Sequence, residues 1–258
     1  NGEKYLVVDE EMLREMVKND EDVTKVVTTR VTNMFGMFKP VIYYGEDGTS
    51  SFNQDIGSWD VSKVTDMNEM FECATAFNQD IGSWDVSKVK GMSGMFRDAK
   101  SFNQDISSWD LSRIIGKYGL AEMFRNAKSF NQDISSWDVS KVKNMAGMFN
   151  GASSFNQNIS AWDVSKVTDM EGMFRNAKSF NQKIGAWDVS GVTAFSGFIG
   201  MFCEAKCFNQ DISSWDVGKV RDMYRMFRYA EAFNQPIGGW DVGEVRDMGS
   251  MFIGADKF

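Results

Sequence analysis

The sequence predicts an α/β repeat protein, a solenoid of about eight coils of 25–28 residues with very short parallel strands and short helical turns. The phrase FNQDIxxWDVSKVxxMxxMFxxAxx recurs eight times, marked by Trp59, Trp84, Trp109, Trp137, Trp162, Trp187, Trp215 and Trp240. The spacings of 25, 25, 28, 25, 25, 28 and 25 residues make each copy one unit that cannot bury its own apolar face and must stack on its neighbours. Within a copy, Met67, Met70, Phe71 and Ala74 follow the spacing of one helix face. The stretches 56–59 and 61–64 are β-branched or aromatic and too short for helices, which predicts two short parallel strands per coil, stacked at about 4.8 Å.

From the N-terminus, residues 9–19 (DEEMLREMVKN) place Met12, Leu13, Met16 and Val17 at helical spacing after an acidic start, which suits a capping helix over the first coil. Residues 23–38 read as a degenerate coil whose Met34, Met37 and Phe38 match the MxxMF element. Residues 39–51, with Pro40, Tyr43, Tyr44 and Gly48, read as a loop insertion. Residues 1–51 are therefore expected to form an N-terminal cap, and residues 52–258 a solenoid of eight repeats truncated in a ninth that Phe258 opens. A solenoid stopped there leaves apolar surface uncovered, so either further chain or another protein associating through the C-terminal coil is expected to cover it. The start at Asn1, without an initiator Met or apolar leader, suits a processed protein or a fragment.

Several polar positions recur with the repeat. Asp66, Gly91, Gly119, Asn144, Asp169, Gly197, Asp222 and Asp247 precede the helical spacing and are expected to cap it. The Asn of each FNQ, from Asn53 to Asn234, should form a ladder that satisfies turn backbone. The Asp after each Trp, from Asp60 to Asp241, is read as a turn cap in preference to a calcium ligand. The two 28-residue copies carry their extra residues around 115–117 and 193–195, three coils apart, which suits either a binding face on that edge or an ancestral bulge inherited by duplication of three-coil blocks.

A net charge of −8 and a pI near 4.8 exclude nucleic acid as the expected partner, since that binding rests on phosphate neutralisation. No apolar run approaches a membrane span, so the segment is not itself transmembrane. Cys73, Cys203 and Cys207 fall at different repeat positions and make no disulfide ladder, although Cys203 and Cys207 could pair. With no His, no phosphate-binding glycine loop and carboxylates that recur in every coil, no catalytic, cofactor or metal residues are assigned, and the protein is read as a non-enzyme.

Residues 52–71, FNQDIGSWDVSKVTDMNEMF, and their seven further copies resemble the BspA-like leucine-rich-repeat surface proteins, the family that includes the repeated lipoproteins of mycoplasmas. The resemblance implies an LRR-like solenoid displayed at the cell surface for adhesion or protein binding. The expected function is a non-enzymatic scaffold for protein–protein interaction, extracellular or surface-displayed. The alternative is a structural subunit docked in a larger assembly, organellar or peripheral to a membrane. The candidate interaction surface comprises Tyr43, Tyr44, Arg97, Arg125, Arg175, Arg228, Lys117 and Phe195.

Overall fold

In the computed structural model, residues 4–40, 48–194 and 196–258 are described. Strand β1 (Leu6–Val7) pairs in parallel with β2 (Val26–Val27), and helix α1 (Glu10–Lys18) lies between them. The helix starts where expected because Asp9 Oδ1 accepts the N–H of Met12 at 2.9 Å. Leu13 is fully buried and Met16 and Val17 pack against the core, whereas Met12 is 41% exposed and does not join them.

Beyond β2 the chain is a repeat fold in which neighbouring copies hydrogen-bond side by side. Residues 66–74 are not the short helix that the apolar spacing predicts. Met67, Glu69, Phe71 and Cys73 donate their N–H groups to Gly91, Ser93, Met95 and Arg97 of the next copy, while Met70, Glu72 and Ala74 close tight turns onto residues three back. Alternate N–H groups thus serve a parallel ladder and the rest serve turns. The chain manages this by putting two residues per copy at positive φ, Glu69 (58°) and Cys73 (59°) here and Gly94 (62°) and Asp98 (59°) in the next copy. A helix would have used those N–H groups internally and left neighbouring copies unpaired. The burial that the spacing predicts holds nonetheless, since Met67, Met70, Phe71 and Ala74 are fully buried.

The expected strands are likewise replaced. Residues 56–59 and 61–64 are β-turns, closed by Trp59 N–H to Ile56 O (3.1 Å) and Val64 N–H to Val61 O (2.8 Å). Parallel pairing occurs on the ladder wall instead, with isolated bridges such as Asp66 to Gly91 and Asn144 to Asp169. The residues expected to be helix caps are ladder members that cap turns: Asp66, Asn144, Asp169 and Asp222 each accept the N–H two residues on.

The degenerate copy belongs to the stack, because Met34, Gly36 and Phe38 donate to Asp66, Asn68 and Met70. Each Trp indole N–H reaches a backbone carbonyl of the preceding copy, as in Trp137 to Ile106 (3.1 Å) and Trp162 to Ile134 (3.1 Å). Each Asn of FNQ accepts the N–H of the next Asn, from Asn78 onto Asn53 to Asn234 onto Asn209. The three cysteines are free, so the Cys203–Cys207 pairing is not made.

Equivalent rings report the local separation of copies. It is 5.5–5.8 Å for the ladder-wall series from Phe71 to Phe174. It widens to about 6.0–6.1 Å for Phe77 to Phe180 and to 6.5 Å between Trp137 and Trp162. Hydrogen-bonded parallel backbone sits closer still, near 4.8 Å. Rings on the ladder wall therefore lie closer together than the Trp137–Trp162 pair, the spacing of a stack that bends toward the ladder wall and makes it the concave side.

Candidate interaction surface

The ladder wall is built from turns whose inward residues are fixed and whose outward residues vary from copy to copy. Its first outward row is Glu69, Gly94, Glu122, Gly147, Gly172, Gly200, Arg225 and Ser250. Its second is Glu72, Arg97, Arg125, Asn150, Arg175, Cys203, Arg228 and Ile253. The structure thus brings four of the expected surface residues, Arg97, Arg125, Arg175 and Arg228, into one row. Ladder hydrogen bonds on both sides hold the backbone beneath them.

In the first half of the wall the charges satisfy one another. Lys39 Nζ lies 2.7 Å from Glu69 and 2.9 Å from Glu72. Arg97 is clamped between Glu72 of the copy before and Glu122 of the copy after, and Glu122 also pairs with Arg125. Burial would raise the Glu122 carboxyl, but hydrogen bonds from Arg97 and Arg125 outweigh it and hold the group below the usual carboxylate range. Glu69 is lowered in the same way, burial being overcome chiefly by Lys39.

Further along, the carboxylates thin out. A shallow groove of about 410 Å³ is lined by Glu122, Arg125, Asn150, Glu171, Arg175 and Ile199, among others. Beyond it, Arg225 stacks on Tyr224 (4.6 Å) and Arg228 on Tyr229 (4.9 Å). The buried Cys203 thiol beneath them is pushed up by burial, opposed by Arg175, Arg228 and Arg225.

Lys117 is elsewhere, in the first insertion, with its ammonium 5.4 Å from the Tyr118 ring and both lining a separate hollow of about 290 Å³ with Thr65, Lys90 and Gly116. Ile115 and Tyr118 in this insertion are each 59% exposed. Tyr43, Tyr44 and Phe195 lie outside the described residues.

The helical reading missed Glu69, Glu122, Arg225 and Tyr229, all at positive φ. One signal could have found them: glycine stands at the same positions in Gly94, Gly147, Gly172 and Gly200, and again in Gly151 and Gly254. Glycine recurring at a fixed place in a repeat marks a left-handed residue that a helix would not need.

On the opposite edge, every Asp after Trp is committed to its own turn, accepting the N–H two residues on, from Ser62 on Asp60 to Gly243 on Asp241. Hydrogen bonds from Ser62 lower the Asp60 carboxyl despite some burial, with help from Lys63 and Lys88. Among the described residues no helix is long and apolar enough to cross a membrane, and no three His, Cys, Asp or Glu side chains are grouped to hold a metal ion.

A family model described as Mycoplasma protein of unknown function, DUF285, matches residues 9–118, 118–200 and 197–258, and the chain belongs to that family. None of the curated proteins matches the chain. Among solved structures, the crystal structure of a TLR13–ssRNA13 complex is similar at 12% identity and a TM-score of 0.24 over 93% of this chain. This chain spans 42% of that one's length.

Proposed function

We propose that this member of the DUF285 family is a non-enzymatic, LRR-like solenoid that binds other proteins along its concave ladder wall. One observation carries the reading. The positions that repeat in every copy are occupied with building the stack, whereas the outward rows from Glu69 and Glu72 vary in charge and size within one continuous surface. A rigid frame that presents variable side chains along a curved face is what a protein partner needs and what a small-molecule catalyst does not. Carboxylates that repeat along the turn edge serve Asx turns, which commits them to the frame.

Display at the cell surface, for adhesion, is the favoured setting, by the chain's membership of a mycoplasma repeat family. The alternative remains a subunit docked in a larger assembly. The test is brief crosslinking in source cells followed by recovery of the protein. The scaffold reading expects defined partner proteins. Recovery of the chain alone, with turnover of a small molecule, would replace it with an enzyme. Labelling of Lys63, Lys88 and Lys166, all exposed, by a membrane-impermeant amine reagent on intact cells separates display from an internal assembly.

A further inference from the structure

Arg97 shows what an arginine on this wall pairs with: carboxylates in adjoining copies, Glu72 before and Glu122 after. Arg228 occupies the same row, but the corresponding neighbours are Cys203 and Ser250. Arg225, Arg228 and Arg175 have no ion pair within 4.0 Å among the described residues, although Glu171 and Glu204 stand on the same wall. The Nε atoms of Arg225 and Arg228 are buried without a hydrogen-bond partner. The Nε edges of Arg225 and Arg228 have lost water without gaining a partner, while the rest of each group stays open to an anion, Arg228 Nη2 donating to Tyr229 Oη at 3.4 Å.

They are also held in place. Tyr224 lies against Gly249, whose Cβ would come 3.2 Å from the ring, and Tyr229 covers Gly254, where a Cβ would come within 2.2 Å. Each tyrosine is seated on a glycine of the next copy and carries an arginine, so part of the entropy of ordering that arginine is already spent before any partner arrives.

We infer that Arg175, Arg225 and Arg228, with Tyr224 and Tyr229, form a docking site for an acidic segment of a partner protein, whose carboxylates take the places that Glu72 and Glu122 fill around Arg97. The site presupposes that the chain is a protein-binding scaffold. Arg175 and Arg228 are two copies apart on the ladder, which at the usual parallel spacing of about 4.8 Å puts them about 10 Å apart along the stack. Three residues in polyproline II form complete one turn and rise about 9 Å. The matching segment is therefore a polyproline II-like one with acidic residues at every third position, which returns them all to one face. The net charge of −8 on the whole chain opposes every anionic partner and confines attraction to this patch, which a short segment with a few carboxylates meets at less repulsion than a nucleic acid or an anionic membrane.

The test is fluorescence anisotropy of a labelled peptide of three Gly-Gly-Glu units against the full chain at low salt. The wild type is expected to bind it and not its glutamine counterpart. The double variant R225G/R228N takes residues that the same rows already carry at Gly200 and Asn150, and should keep its urea midpoint while losing about tenfold or more in affinity. R175N gives a smaller loss and serves independently if the double variant misfolds. K141N, on the far edge, should change nothing. No binding by the wild type, equal binding by the arginine variants or the glutamine peptide, or arginine-dependent binding of phosphatidylserine vesicles in place of the peptide would each overturn the site. Partner crosslinks elsewhere on the wall would survive those results; their absence would remove the scaffold reading itself.

Discussion

The side-chain amide of Asn68 occupies the space that a Cβ on Gly91 would need: its Nδ2 would lie 2.5 Å, and its Oδ1 2.9 Å, from such an atom. Asn68 Oδ1 accepts the Ser93 N–H at 2.7 Å. Other copies satisfy the equivalent N–H with their own Asp, as Asp169 does for Glu171. Gly91→Ala should therefore expel the amide and cost about 1–2 kcal/mol in urea unfolding. Combining G91D with N68S should recover most of it by restoring the local Asp turn. A G91A variant as stable as the wild type would show that the pairing is incidental.

Trp137 should be the clearest core probe. Its ring stacks at 6.5 Å on Trp162 and its Nε1–H donates to Ile106 O at 3.1 Å. Trp137→Phe loses that bond and leaves a small void, with an expected cost of about 2–4 kcal/mol. The same change at Trp240, which is 8% exposed near the end of the described stack, should cost less. Equal losses at both would argue against a continuous core.

Much of this frame was legible in the sequence because a repeat places equivalent residues over one another. The Asn53 to Asn234 ladder and the turn role of Asp60 to Asp241 follow from identity of position, whereas the N-terminal helix and the burial of Met67, Met70, Phe71 and Ala74 follow from apolar spacing. The local conformation did not follow. Apolar spacing reports which residues face inward, and a helix and a ladder of alternating turns bury the same set. Hydrogen bonds between copies chose the ladder, at the expense of left-handed residues such as Glu69 and Cys73. The candidate surface was found as a row of arginines but not as an electrostatic network, because Glu122 and Arg225 occupy positions that a helix would have turned aside.

Left-handed residues give a direct conformational test. Gly172 has φ +54°, and a Cβ there would meet only ordinary contacts with Arg175, the nearest at 3.7 Å. Gly172→Ala should lose about 1–2 kcal/mol from backbone strain alone. Glu204→Gly, which relaxes φ 61°, should be neutral to stabilising by up to about 1 kcal/mol. Thermal unfolding of both variants checks the pair; a G172A variant that gains stability would mean a regular helix forms there.

Stability should be flat across neutral pH and fall only in acid. The chain has no His. The shifted carboxylates, among them Asp60, Asp85, Asp138, Asp163, Asp188 and Glu122, are lowered in the folded protein. A lowered folded value means the unfolded chain binds protons first, so their stabilisation is complete above the ordinary carboxylate range and disappears as pH falls through the folded values. Urea midpoints should hold from about pH 8 to 5 and drop below about pH 4. A drop between pH 7 and 5 would require a different titrating group.

The central claim is that the variable ladder wall is where partners bind. It is tested most directly by placing a photo-crosslinking amino acid at Asn150, in the middle of the wall, and at Lys141, on the turn edge, and irradiating source cells that express each form. Discrete protein adducts from Asn150 with few or none from Lys141 are the expected result. Adducts from Lys141 with none from Asn150 would contradict the account and move the binding face to the turn edge.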